Sequence, residues 1–298
     1  MTAGTREHLA AFIHTCNTSG QKCGYTGSTL EDIIHDLSEG LEESSFVLYE
    51  GEQIAGAVIL DQYEVGGGQQ DVEVWGPYYS DHPKANLEPM FLHLAGKAEA
   101  EDIRYFHLFI SADNTLLLEY AARYRTEKVN THYHYSADTA EQLHCQERIE
   151  LEVLPLNGSG TEWLQPLTEL HNQGFPGAVF TPEDIEDELG GSGTGEYEIF
   201  AVLQENIFTG YMIIRRNALT GVLHLEYICL APEARSRGFG RQLIHDLAAK
   251  YRPLGYTRLE LVVSGGNTEA IRFYDTNGFR RDSVMKHVII SGGMELDR

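Results

Sequence analysis

The chain has 298 residues, with 22 Lys and Arg against 45 Asp and Glu and a formal net charge of −23. So acidic a surface repels phosphate backbones, which argues against a nucleic-acid partner, and it draws in cations such as amines, polyamines or basic peptides, with solubility as the plainer account. No run of 18 apolar residues occurs and the residues after Met1 form no apolar leader, so neither a membrane partner nor a secreted chain is expected, and the expected location is cytoplasmic.

The length suits two domains, and the predicted elements repeat accordingly. Thr29-Leu30-Glu31-Asp32-Ile33 reads as a helix start, with threonine as N-cap and acid in the first turn. Phe46 to Gly56 reads as strand, turn and strand. Gly76 to Lys84 is a turn with two prolines, Pro77 and Pro83, and it is followed at some distance by Ser111-Ala112-Asp113-Asn114-Thr115. His132 and His134 share a face of a predicted strand from Thr131 to Tyr135; two imidazoles do not close a metal site, and sheet surface is the better reading.

A polar stretch from Ser136 to Gln146 then precedes the alternating strand of Ile149, Leu151 and Val153, and the earlier signals return. Thr181-Pro182-Glu183-Asp184-Ile185 matches Thr29 to Ile33 at an offset of 152, Phe200 to Gly210 matches Phe46 to Gly56 at 154, and Ser264 to Thr268 matches Ser111 to Thr115 at 153. Three pairs at nearly one spacing indicate a duplication. The expected domains are residues 1–140 and 147–298. Within the second copy, the acidic run Pro182 to Leu189 reads as a solvated helix face, and Gly190 to Gly195 as a flexible connector or a flap. Cys16, Cys23, Cys145 and Cys229 form no Cys-x-x-Cys pair and read as free thiols, and no metal site is expected.

The most informative stretch follows the predicted strand Leu223 to Leu230. Arg235-Ser236-Arg237-Gly238-Phe239-Gly240-Arg241 leads into a helix whose apolar face is Leu243, Ile244, Leu247, Ala248 and Tyr251. Glycines at a helix start let an anion approach free N–H groups at the positive end of the helix dipole, so pyrophosphate is a natural guest; an ordinary tight turn with solvated arginines is the alternative. A Walker loop is excluded because Gly240 is followed by Arg241-Gln242, and a dinucleotide fingerprint because a third glycine is missing.

Downstream, the strand Arg258 to Val263 is followed by Asn267-Thr268-Glu269-Ala270-Ile271-Arg272-Phe273-Tyr274-Asp275-Thr276-Asn277-Gly278-Phe279. Arg-x-x-Gly-x-Gly, a strand, and then Asn-x-x-Ala-x-x-x-Tyr-x-x-x-Gly-Phe together closely resemble the two cofactor motifs of the GNAT superfamily of N-acetyltransferases. The resemblance is strongest over residues 223–290. It implies an α/β fold of two tandem GNAT-like domains, each a mixed, mostly antiparallel central sheet flanked by helices. It further implies an enzyme that moves acetyl from acetyl-CoA to a primary amine of a small molecule or peptide. By the resemblance the pyrophosphate lies on Arg235, Ser236, Arg237, Gly238, Phe239, Gly240 and Arg241. The pantetheine arm pairs with Ile228, Cys229 and Leu230, Asn267 contacts the cofactor arm, and Tyr274 protonates the departing thiolate.

The chemistry asks for the same groups. An amine attacks a thioester only when neutral, so a proton acceptor is needed, and Glu226, on the strand just before the turn, is the candidate; a cross-strand ion pair is its competing account. Tyr274 could equally be a core aromatic, and Asn267 also suits a helix N-cap. Cys229 reads as a small hydrophobe rather than a nucleophile. In the first copy Ala121 stands where Tyr274 would be matched, and prolines take the place of N–H donors near Gly76, so that copy is expected to support the fold and not to bind cofactor. A non-catalytic acyl-CoA-binding module and transfer of a longer acyl group remain the alternatives.

Overall fold

The computed structural model describes residues 3–27, 29–37, 41–80, 83–141, 149–156, 161–176, 178–185 and 197–294. Cys145, the acidic residues 186–189, the glycines 190–195 and part of the polar stretch after Ser136 lie outside them. The chain divides into two compact units: Met1–Tyr133 with Ser264–Gly266 and Ser283–Arg298, and His134–Val263 with Asn267–Asp282.

In the first unit, β1 (Ser45–Glu50), β2 (Gln53–Gly66), β3 (Gln69–Tyr79) and β4 (Ile103–Ser111) lie side by side in that order. All pair antiparallel except β3 with β4. The next neighbour of β4 comes from the far end of the sequence: β11 (Arg280–Ser291) pairs antiparallel with it from Met285↔Ser111 to Ser291↔Tyr105. The strand that ends the first sequence copy, β5 (Thr126–Asp138), contributes only Thr126–Tyr133 to this unit. The compact units and the sequence copies are thus different partitions of the chain.

One face of this sheet is a conventional core. Val72, Val74, Phe106, Leu108, Ile110, Val288 and Ile290 alternate inward along β3, β4 and β11 and meet Leu87, Met90, Phe91 and Leu94 of α3 (Pro83–Ala100). On the other face, helices α1 (Ala3–Cys16) and α2 (Leu30–Asp36) place Leu9, Ala10, Ile13 and Ile33 against Ala57, Ile59, Trp75 and Tyr78. They leave the middle of β3, β4 and β11 to polar and aromatic residues. Helix α4 (Thr115–Ala121) follows β4.

The second unit contains β6 (Glu152–Pro155), β7 (Tyr197–Gln204), β8 (Ile207–Asn217), β9 (Val222–Leu230) and β10 (Arg258–Ser264), neighbours in that order. Helix α5 (Leu164–Gly174) buries Leu164, Leu167 and Leu170 against Ile199, Ala201, Tyr211 and Ile213. Helix α6 (Phe239–Tyr251) buries Leu243, Ile244, Leu247, Ala248 and Tyr251, the stripe predicted from spacing. Helix α7 (Thr268–Thr276) follows β10.

The repeated sequence signals become repeated geometry. Leu48 pairs with Gly56 and Tyr49 with Ile54, skipping one residue; Val202 pairs with Gly210 and Leu203 with Phe208 with the same skip. Thr29 and Asp32 form a reciprocal capping box, as do Thr181 and Asp184. Asn114 caps α4 by accepting from Leu117 N, and Asn267 caps α7 by accepting from Ala270 N. Among the described residues no helix is long and apolar enough to cross a membrane.

Candidate active site

Strand β9 is held by β8 along its whole length, from Asn217↔Val222 to Gly210↔Leu230. Its parallel pairing with β10 covers only Val222, Leu223 and His224, against Arg258, Leu259 and Glu260, and then stops. From Glu226 to Leu230 the β10 side of the strand therefore offers backbone donors and acceptors with no strand partner among the described residues, an edge suited to an extended ligand. The β8–β9 register shifts at the same place: Ile213 faces Tyr227 and Ile214 faces Leu225, which leaves Glu226 as the extra residue of a bulge. Its exposed carboxylate accepts from Arg215 Nε at 3.0 Å, so the cross-strand ion pair is present. Ile228 and Leu230 are half-buried and Cys229 is buried. Burial raises the Cys229 thiol above its ordinary pKa, with Arg235 opposing, which suits an inert thiol.

The strand runs into the arginine-glycine turn through one tight turn at Pro232–Ala234. Arg235 is extended and its Nε donates to the Leu230 carbonyl at 2.9 Å, fastening the turn to the strand end. Ser236 and Gly238 both adopt left-handed backbone, φ +58 and +87. For Gly238 this conformation is unstrained, and as N-cap of α6 it leaves the first N–H groups of the helix without a side-chain cap. Gly240 sits close to the next helix: a Cβ there would lie 3.3 Å from the Phe273 ring of α7. Arg235, Ser236, Arg237 and Arg241 are exposed, whereas Phe239 is buried beneath the turn and carries the Arg237 guanidinium 4.8 Å above its ring. The turn thus combines uncapped N–H groups with three exposed guanidinium side chains.

Tyr274 lies on α7 with 5% of its surface exposed, packed against Tyr135, Phe273 and Phe279 at ring separations of 5.9, 5.0 and 5.1 Å. Its hydroxyl has no hydrogen-bond partner among the described residues, and burial pushes its pKa well up, so the phenol stays protonated across the physiological range. A thiolate is a weaker base than a phenolate, so a proton passes from such a phenol to a thiolate only where geometry holds the two together. Asn267 is exposed and caps α7.

A cluster without a sequence signal packs on Tyr227 of β9. His171, fully buried, meets the Tyr211 hydroxyl at 2.7 Å through Nδ1 and the Ala178 carbonyl through Nε2. With the carbonyl able only to accept, Nε2 carries the hydrogen and Nδ1 accepts from the phenol. Burial lowers the His171 pKa, which keeps this neutral tautomer. Asn172 exchanges two hydrogen bonds of 2.9 Å with the backbone of Phe180. Together they fix the segment that packs Phe175 and Phe180 on Tyr227, at 5.0 and 5.7 Å. A histidine at one helical position gives no sign of this in the sequence, because its partners are 7 and 40 residues away.

Residues 164–279, which hold the splayed strands, the turn and Tyr274, match the model of the acetyltransferase (GNAT) family. They form a GNAT-family domain. The fold of the whole chain is that of tandem GNAT proteins. A tandem GNAT protein from the clavulanic acid biosynthesis pathway is 12% identical, with 99% of this chain and 97% of that one covered and a TM-score of 0.72. A GCN5-related N-acetyltransferase from Sphaerobacter thermophilus is 14% identical, with coverages of 100% and 96% and a TM-score of 0.76. A GNAT-family acetyltransferase from Colwellia psychrerythraea is 14% identical, with coverages of 89% and 98% and a TM-score of 0.55. At these identities the likeness establishes the fold. No curated protein matches the chain in sequence. A GNAT fold implies acyl-CoA binding and acyltransferase chemistry, and the open edge of β9 running into the α6 turn is the part of this chain suited to it.

Proposed function

We propose that the second unit transfers an acetyl group from acetyl-CoA to a primary amine, of a small molecule or a peptide, by direct attack within a ternary complex. The observation that carries this reading is the run of unpaired β9 backbone from Glu226 to Leu230 that ends at the uncapped start of α6. The edge suits the amide-bearing pantetheine arm, and the N–H groups of Phe239, Gly240 and Arg241, with Arg235 and Arg237, suit the pyrophosphate.

In the reaction the amine nitrogen adds to the thioester carbonyl, the tetrahedral intermediate collapses, the carbon–sulfur bond breaks, and the electron pair leaves on sulfur. Glu226 takes the proton that the amine must lose, directly or through water, and Tyr274 supplies the proton that the thiolate gains. Asn267 fixes the start of α7 beside the cofactor arm. The first copy takes no part: Ala121 stands in place of Tyr274, and the prolines that lack N–H donors fall within strand β3 (Pro77), not in a turn as its sequence suggested, and at the start of α3 (Pro83). One active site per chain follows. The enzyme acts in the cytoplasm, without metal.

The Arg215–Glu226 pair favours one rival, an acyl-CoA-binding module whose glutamate is purely structural. A screen of primary amines, polyamines, aminoglycosides and peptide N-termini, read by release of free thiol from acetyl-CoA, separates the two. Turnover of any amine supports transfer; tight acetyl-CoA binding with no turnover of any acceptor supports the module.

A further inference from the structure

Each copy contains a pair of parallel strands that part company, and the two copies treat the opening differently. In the first unit β3 pairs with β4 from Gln70↔Ile103 to Val74↔Leu108 and then stops, as β9 and β10 stop at His224↔Glu260. The positions beyond the parting correspond closely. Gly56 faces Tyr79 and Gly210 faces Leu230; Ser80 N donates to the Ala55 carbonyl at 2.9 Å, and Ala231 N to the Thr209 carbonyl at 2.8 Å. Ala55 and Gly56 match Thr209 and Gly210 at the offset of 154, so Tyr79 is the counterpart of Leu230.

In the first unit the chain itself fills the opening. Gly24 N donates to the Phe109 carbonyl at 2.9 Å, Ser111 N donates to the Lys22 carbonyl at 3.0 Å, and Cys23 pairs antiparallel with Ile110. A strand has two edges, and β11 already takes one edge of β4 from Tyr105 to Ser111. Lys22–Gly24 therefore lies on the edge that faces β3. The buried Cys23 thiol meets the Gly76 backbone and the Tyr78 side chain on that strand. Gln21 completes the bridge: its Nε2 donates to the Tyr79 carbonyl at 2.8 Å, and its Oε1 accepts from Tyr79 N at 3.0 Å. One side-chain amide thus makes both bonds that a peptide group of a neighbouring strand would make. Asn114, the counterpart of Asn267, is buried and accepts from the Tyr79 hydroxyl, whereas Asn267 is exposed. In the second unit the segment after α5 takes another course, with Phe175 and Phe180 packed on Tyr227, and the Leu230 carbonyl is met by the Arg235 side chain.

We propose that Gln21–Gly24 is a built-in ligand of the first copy: it occupies the cleft that in the second copy takes the pantetheine arm, with the Gln21 amide in the place of an amide of that arm. This rests on the seat proposed above for the arm along β9. The first copy then lacks cofactor because its cleft is full. A tethered segment competes at high effective concentration with any free ligand, and it satisfies backbone groups of β3 and β4 that an empty cleft would leave unpaired.

Amide hydrogen exchange on the full-length protein, with and without saturating acetyl-CoA, tests this. Without ligand the Tyr79 amide should exchange at least about tenfold faster in Gln21→Ala than in the parent. Acetamide, which replaces the group that this variant removes, should slow it again, and sodium acetate at equal concentration, which has no N–H to donate, should not. In the parent, acetyl-CoA should slow exchange between Ile228 and Leu230 and leave Gly24, Tyr79 and Ser111 unchanged. Equal Tyr79 exchange in the parent and a folded Gln21→Ala variant, equal effects of acetamide and acetate, or a response of Gly24, Tyr79 or Ser111 to acetyl-CoA would overturn the proposal. A protein in which acetyl-CoA alters neither copy would instead refute the arm's seat along β9, while the Tyr79 comparison still reports whether the first cleft is filled.

Discussion

Glu226, the residue that the β8–β9 register leaves over, accepts a hydrogen bond from Arg215 at 3.0 Å. The bulge and the ion pair have one origin: an extra residue in β9 tips its side chain out of the alternating pattern and towards β8, where Arg215 waits opposite His224. The Glu226 carboxylate therefore already has a partner.

If Glu226 accepts the substrate proton, Glu226→Gln lowers kcat/KM by at least about tenfold, while the loss of a partly exposed ion pair costs under about 1 kcal/mol of stability. Arg215→Met should cost similar stability and keep turnover within about threefold, because an exposed pair contributes little. Steady-state kinetics beside thermal denaturation checks both. Equal kinetic effects for the two variants would make the pair a unit and remove Glu226 as an independent base.

Tyr274→Phe keeps the ring that packs on Phe273 and Phe279 and removes only the hydroxyl. Turnover should fall by at least about tenfold, and the acetyl-CoA dissociation constant should hold. Unchanged turnover would return Tyr274 to the role of a core aromatic.

The turn makes opposite predictions at two neighbouring positions. Gly238→Ala forces a side chain into φ +87 and should cost about 1–2 kcal/mol, together with weaker acetyl-CoA binding. Ser236→Gly relieves a residue already at φ +58 and should raise the melting temperature. Arg235→Ala should weaken acetyl-CoA binding by about tenfold. An unaltered dissociation constant by calorimetry would argue against the turn as the pyrophosphate seat.

In the first unit two half-buried groups pull stability in opposite directions with pH. Burial, with His107, His132 and Lys128 nearby, lowers the His287 pKa to about 4, below its unfolded value; its contribution is present above that unfolded value and is lost as the pH falls towards 4. The Glu73 pKa is raised to about 7, above its unfolded value; its contribution is present in acid and is lost as the pH rises through 7. Between about pH 6.5 and 4.5 the two oppose each other. Glu73→Gln removes one of them, so the variant should lose stability more steeply on acidification than the parent. Melting temperatures across that range decide it, and parallel curves would refute the assignment.

Much of the site was legible because its signals are local. A glycine with left-handed φ, a threonine three residues before an aspartate and an apolar stripe at helical spacing each depend on neighbours a few residues away. So Gly238 at the start of α6, the paired capping boxes at Thr29 and Thr181, and the buried face of α6 could all be read from the chain. Asn267 as N-cap is of the same kind. The cross-strand partner of Glu226 was foreseen in type but not in identity, because Arg215 becomes its neighbour only through the β8–β9 register.

By itself the sequence determined the capping boxes, the apolar stripe of α6 and the glycines at its start, which follow from residue type at short spacing; the fold came through the resemblance of its motifs to a family, and the repeat was read from signals at offsets of 152, 153 and 154. Tertiary structure alone decided where β9 parts from β10, that β11 pairs with β4, that His171 clamps the Phe175–Phe180 segment, and that Glu73 faces Asp61. Each of those depends on strand register and on contacts between residues distant in the chain. A one-residue change of register, invisible in composition, would exchange the buried and exposed faces of a strand.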